Sequence, residues 1–219
     1  MYKFLLKMIV PLLFFVSLTL SQSLSTLEWF AMSNGVSTTV DAVAVNGNDV
    51  YVGGLFSLAG GIQVNRIAQW DGANWSSLEG GVNGQVTSIA IIGNDVYAAG
   101  DFSMAGGVPA NNIAKWDGVS WSALGSGLND MVLSLAFSGT ELYAGGFFTQ
   151  AGGVAANRIA KWNGNSWSAL GEGINNEVDA IAADGNSVYA GGYFTTAGRE
   201  NANSIAKWNG TDWSPMGDG

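Results

Sequence analysis

The side chains able to do chemistry in this chain are few, and most are of one kind. There are 17 Asp and Glu against 8 Lys and Arg, with no His and no Cys. Lack of His removes the commonest general base and the commonest transition-metal ligand. Lack of Cys removes a thiolate nucleophile, a thiolate zinc site and any disulfide framework. Oxygen chemistry is what remains. Two carboxylates suffice for glycoside hydrolysis, and Glu79, Asp130, Glu172, Glu177 and Asp218 fall in comparable segments. Their oxygens suit calcium, which gathers about six to eight of them, but no run has the D-x-D-x-D-G spacing of a calcium loop. Solvated acidic loops are the simpler expectation, and no metal or cofactor is expected. The only arginines are Arg66, Arg158 and Arg199; Arg66 and Arg158 hold one repeat position two units apart, and neither sits near a distinct Tyr or Glu motif.

Amides form a second group. Asn65, Asn111, Asn157 and Asn203 recur every 46 residues. They offer a ring of hydrogen-bonding groups for a glycan, although a residue serving each copy alike more often satisfies the backbone of its own loop. Positions that differ between copies make better ligand candidates. These are Leu55, Asp101, Phe147 and Tyr193, then Leu58, Met104, Gln150 and Thr196. Arg199 and Glu200 join them, because they replace Gly-apolar pairs of earlier copies.

The elements that must carry these residues follow from a gapless 46-residue repeat. Tyr51, Tyr97, Tyr143 and Tyr189 mark it. So do Trp70, Trp116, Trp162 and Trp208, and so do Trp75, Trp121, Trp167 and Trp213. Trp29 lies one period before Trp75. The units run over 40–85, 86–131, 132–177 and 178–219, with a partial repeat at 24–39. Each holds four short strand signals, here called a to d. In the last unit they are Val178 to Ala183, Val188 to Phe194, Ser204 to Trp208 and Asp212 to Met216. Asp71-Gly72, Asp117-Gly118, Asn163-Gly164 and Asn209-Gly210 predict two-residue hairpin turns between c and d. Strand b is apolar on both faces, which places it in a sheet stacked between sheets. The fold class is all-β, a β-propeller of four-stranded blades. Alanines such as Ala44 and Ala90 suit the crowded axis, Gly pairs such as Gly53-Gly54 suit close blade contact, and the Trp pairs fill the outer wedge. In such a blade the b–c and d–a loops share one edge, and that long-loop edge is the candidate binding face.

Residues 1–23 read as a secretory signal peptide, with Lys3 and Lys7 before a 13-residue apolar run from Met8 to Leu20. The run is short for a membrane span of roughly 20 residues, so no integral membrane segment is expected once it is removed. Cleavage leaves six basic residues against 17 acidic, a net charge of −11. That charge argues against nucleic acid as a partner.

The unit resembles kelch-type propeller repeats, with an apolar strand ending in a Gly pair (Gly53-Gly54), then an aromatic (Trp70), then Trp75 opening strand d. It departs in having Trp where kelch usually has Tyr, and Ala99-Gly100 in place of one Gly pair. It is also similar to secreted bacterial tandem-repeat proteins with NRIAKWNGxSWSALGxG units, and to the propeller of fungal cortical polarity markers. The resemblance implies the fold and an exported protein. A kelch-class copper-radical oxidase is excluded by the absence of His. The expected function is a secreted or cell-surface, non-catalytic binding, adhesion or scaffold module for a glycan or protein. The alternatives are a spacer in a longer exported protein and a carboxylate-based glycoside hydrolase. Four full units and one spare strand d suit an incomplete ring. Either the chain is a fragment, or copies of it complete the ring as a homo-oligomer.

Overall fold

The computed structural model describes residues 32–217. The signal-peptide segment, Trp29 and Asp218 lie outside the described residues. Within them the chain is all-β and builds four blades. Blade 1 runs through Val40–Asn46, Asp49–Gly54, Ile67–Trp70 and Trp75–Ser77. Blade 2 uses Gln85–Ile92, Asp95–Asp101, Ile113–Trp116 and Trp121–Ala123. Blade 3 uses Val132–Ser138, Glu141–Gly146, Ile159–Trp162 and Trp167–Ala169. Blade 4 uses Val178–Asp184, Ser187–Gly192, Ile205–Trp208 and Trp213–Pro215. Each blade is an antiparallel meander in sequence order, and the a strands of successive blades lie beside one another. The ring is not closed among these four blades.

The a–b turns are the tight ones. Asn46 pairs with Asp49 across Gly47-Asn48, and Gly47 has φ +62°. Positive φ at the first central residue alone is the type II′ geometry, whose twist suits a hairpin. The c–d turns differ from the sequence expectation. Trp70 pairs with Trp75, so the loop has four residues, not two. The Asp71 side chain closes it by accepting the amides of Ala73 at 2.8 Å and Asn74 at 2.6 Å, and Gly72 takes φ +97°. Asp71 also donates its own amide to the Asn74 carbonyl at 3.2 Å, so the carboxylate adds to the backbone closure of the turn.

The b–c connection also departs from a plain loop. Leu58–Ala59 pairs with Ile62–Gln63 in a miniature hairpin turned by Gly60 and Gly61, and every blade repeats it. Two-residue strands are too short to show alternation, which is why sequence periodicity passes over them. The preceding d–a segment bridges to this hairpin at Val36–Ala59, Val82–Ala105, Leu128–Ala151 and Ile174–Ala197. The b–c and d–a segments therefore do share one edge.

Most of the core lies between blades, beside a smaller cluster of Val52, Phe56, Ala59, Val64 and Ala68 within blade 1. Tyr51 and Ile67 of blade 1 pack with Val86 and Ile89 of blade 2. Tyr97 and Ile113 pack with Val132 and Leu135, and Tyr143 and Ile159 with Val178 and Ile181. The first glycine of each Gly pair makes room for this. A Cβ on Gly53 would lie 2.4 Å from Val86 Cγ1, and one on Gly145 2.6 Å from Val178 Cγ1. The second serves its own blade, since a Cβ on Gly54 would meet the Thr39 carbonyl oxygen at 2.1 Å. Blade 2 carries Ala99 at the first position, and there the facing residue is Leu135 instead of Ile. Further out, indoles lock the blades together. Trp121 Nε1 donates to the Leu78 carbonyl at 2.7 Å, and Trp167 and Trp213 donate to Leu124 and Leu170 at 2.8 Å.

Trp121→Ala is expected to cost about 3–5 kcal/mol in a urea melt, through a large inter-blade cavity. Trp75→Ala costs less, because Trp75 is only half-buried. Burial holds the Tyr51, Tyr97 and Tyr143 hydroxyls above their ordinary value of 10.0. Unfolded tyrosines therefore lose protons first as pH rises, and stability falls above about pH 10. Tyr143→Phe should reduce the drop in melting temperature between about pH 9 and about pH 11; an unchanged drop would remove burial of Tyr143 as its cause.

Candidate binding face

A cleft opens on the long-loop edge between each pair of successive blades. The first, of about 350 Å³, is lined by residues including Asn65, Arg66, Asn83 and Met104. The second, of about 360 Å³, uses Asn111, Asn112, Ser126, Asn129 and Gln150. The third, of about 380 Å³, uses Asn157, Arg158, Glu172, Asn175 and Thr196. These volumes lie in the range of small-ligand sites.

A constant frame of amides builds the clefts. Asn65 Nδ2 donates to the Gly80 carbonyl at 2.8 Å, and Asn111 and Asn157 donate to Ser126 and Glu172 at 3.0 Å. Each ties the end of its b–c segment to the d–a segment of the same blade. Asn203 holds the matching place in blade 4 and is also engaged. A second set, Asn83, Asn129 and Asn175, reaches across to the next blade. Asn129 Oδ1 accepts the amides of Thr149 and Gln150, both at 2.9 Å, while its Nδ2 donates to Thr149 Oγ1 at 3.0 Å. Sequence reasoning passed over this second set, although its own 46-residue spacing was a sufficient signal.

The arginines do not converge. Arg66 and Arg158 adopt φ +70° and +64°, and each donates to a carbonyl of its own blade, Leu55 and Phe147 respectively. In blade 2, Asn112 does comparable work, donating to the Leu128 carbonyl at 2.8 Å. Arg199 pairs with Glu172 at 2.7 Å in an exposed contact.

The variable candidates separate into three groups. Met104, Gln150 and Thr196 stand on the miniature hairpins, and each forms one wall of a cleft. Leu58 holds the same position in blade 1 but lines none of these clefts. Asp101, Phe147 and Tyr193, with Leu55, end strand b outside the clefts; Tyr193 is 71% exposed and Phe147 half-buried. Arg199 and Glu200 border a separate cleft of about 400 Å³ with Trp208, Asp212 and Trp213.

The three inter-blade clefts contain one carboxylate among their lining side chains, Glu172. Asp71 and Asp117 are held below the usual carboxylate range by backbone amides, but they serve c–d turns on the opposite edge. Asp95, 3.1 Å away, raises the Lys115 ammonium above its ordinary value. Among the described residues, no group of three or more His, Cys, Asp or Glu could hold a metal ion.

A family model described as the Rax2 C-terminal beta propeller domain matches residues 68–219. No curated protein matches the chain. Among solved structures, the computationally designed Ika8 protein superposes with a TM-score of 0.54 at 20% identity, over 81% of this chain and 48% of that one. The computationally designed Ika4 protein superposes with a TM-score of 0.56 at 18% identity, over 83% of this chain and 98% of that one. The extracellular domain of a one-component system from B. thetaiotaomicron gives 0.54 at 13% identity, over 82% of this chain and 22% of that one. The chain thus spans about half of the first and about a fifth of the third. At these identities the likeness concerns the fold alone.

Asn129→Ala removes three hydrogen bonds between blades and should cost about 1–2 kcal/mol in a denaturant melt. Gln150→Ala, on the cleft wall, should stay within about 0.5 kcal/mol of the parent. Equal losses would mean that wall and frame are not separable.

Proposed function

We propose a non-catalytic binding or scaffolding role from one premise: the chain belongs to the family of the Rax2 C-terminal beta propeller domain. The observation that carries the proposal is the division of labour in the clefts. The amide frame repeats, while the walls change from Met104 to Gln150 to Thr196 and from Gly80 to Ser126 to Glu172. A rigid scaffold with varied walls is how propellers and other repeat folds tune recognition. Amide-lined clefts with walls that vary from apolar Met104 to polar Gln150 and Thr196, and a high negative charge, suit a neutral glycan or a cationic protein surface. They repel nucleic acid.

The site of action is outside the cell or at its surface. Residues 1–23 have the charge and apolar pattern of a signal peptide, and among the described residues no helix is long and apolar enough to cross a membrane. A spacer role in a longer protein and a glycoside hydrolase are the competing assignments.

Binding of the purified chain to a glycan array and to a panel of extracellular proteins tests the proposal. The expected result is a saturable ligand whose affinity falls about tenfold or more in Gln150→Ala with Thr196→Ala, about 1.4 kcal/mol, at unchanged melting temperature. Silence in both panels would favour the spacer. Glycan hydrolysis abolished by Glu172→Gln would make the protein an enzyme.

A further inference from the structure

We propose that the outer cleft at the joint of blades 3 and 4 is a site for a neutral saccharide, with one pyranose ring stacked on Trp208; this rests on the binding role above and adds a site and a class of ligand to it. The cleft measures about 400 Å³, within the range of small-ligand sites. Glu172 of blade 3 lines it with Arg199, Glu200, Trp208, Asp212 and Trp213 of blade 4. It lies at an internal joint. A Cβ on Gly171 of blade 3 would meet Trp208 Cζ3 at 3.1 Å, and Trp213 Nε1 donates to the Leu170 carbonyl at 2.8 Å. Trp162, which has a blade on either side, is half-buried just as Trp208 is.

The indole is a fixed platform. Trp213 is buried against it, with ring centroids 5.6 Å apart and planes tilted by 50°. An indole face is flat, apolar and electron-rich. The C–H face of a pyranose is flat and apolar as well, and its hydroxyls radiate from the ring edge to meet polar groups. Such groups surround Trp208 and are particular to this joint. Glu172, Arg199, Glu200 and Asp212 stand where the preceding copy has Ser126, Gly153, Val154 and Ser166, and where the copy before that has Gly80, Gly107, Val108 and Ser120. The indole repeats, while its charged surround does not.

Arg199 Nε and Nη2 both approach one Glu172 carboxylate oxygen at 2.7 Å. The two side chains are 85% and 56% exposed. An ion pair so exposed adds little to stability, so the fold does not require it. Glu172 raises the Arg199 guanidinium above its ordinary value, and Asp212 acts in the same direction from within electrostatic reach. This mixture of charges selects the ligand. Three carboxylates repel an anion, and the guanidinium among them opposes a cation. A neutral polyol satisfies both, because its hydroxyls donate to the carboxylates and accept from the guanidinium.

Calorimetry and tryptophan fluorescence of the full chain with cellohexaose, laminarihexaose, mannohexaose and chitohexaose test this, with hexalysine as the cationic control. At least one hexaose is expected to bind saturably, with the same affinity at low and high salt. Trp208→Ala should weaken that binding about tenfold or more, as loss of an aromatic anchor does. Arg199→Gly with Glu200→Val, which restores the residues that blade 3 carries there, should weaken it by a similar factor at unchanged melting temperature. This double variant keeps the test decisive if Trp208→Ala does not fold. Failure of all four hexaoses to bind would overturn the inference and leave the role of the three long-loop clefts standing. So would saccharide binding that is lost in Gln150→Ala with Thr196→Ala and kept in Arg199→Gly with Glu200→Val, because the ligand would then sit in those clefts. Binding of hexalysine alone, lost at high salt, would overturn it as well and give the cleft to a cationic partner.

Discussion

The space between strand b of one blade and strand a of the next is the constraint on which this molecule depends. A blade buries a small cluster of its own, such as Phe56, Ala59, Val64 and Ala68 in blade 1, but most of its core is the surface it shares. At Gly53 and Gly145 the valine of the next blade sits where a side chain would begin. That closeness lets Tyr51 or Tyr143 be buried by strand a of the next blade, and it brings each indole within reach of a carbonyl on the preceding blade. Where the slot is shallower, at Ala99, the knob is Leu135. Slot and knob behave as a pair.

The same closeness explains the candidate face. Asn83, Asn129 and Asn175 can bridge blades only because the d–a segment of one lies against the hairpin of the next. Once these amides and Asn65, Asn111 and Asn157 have satisfied the backbone, the hairpin side chains Met104, Gln150 and Thr196 are left on the cleft walls. Met104, Gln150 and Thr196 differ in size and polarity without disturbing the hairpins that hold them. Side chains on these walls can therefore change at little cost in stability, which is the ground for the proposed recognition role.

Several local devices escaped the pattern of residues. The strands end one residue earlier on each side of the c–d turn than Asp-Gly or Asn-Gly implies, and the turn is closed by one backbone bond together with two amides accepted by the Asp71 or Asn163 side chain. The b–c hairpin is hidden because its strands have two residues each. Asp101, Phe147 and Tyr193 looked like neighbours of Met104 and Gln150 along the chain, yet they end strand b beside the clefts and not in them. Chain proximity in a turn does not fix the direction of a side chain.

What the sequence determined alone was the repeat and, through it, the fold. Period, turn glycines, paired tryptophans and a strand apolar on both faces are local signals, and each copy restates them. Joining the copies was decided by the tertiary structure. Which amides are engaged by backbone, which walls meet across a cleft, and which Ile and Tyr remain uncovered at blade 4 depend on contacts between residues from 15 to 43 positions apart. A single repeat looks the same whether its neighbour is present or not. Only the stacked blades show where an identical surface has been buried and where it still faces solvent.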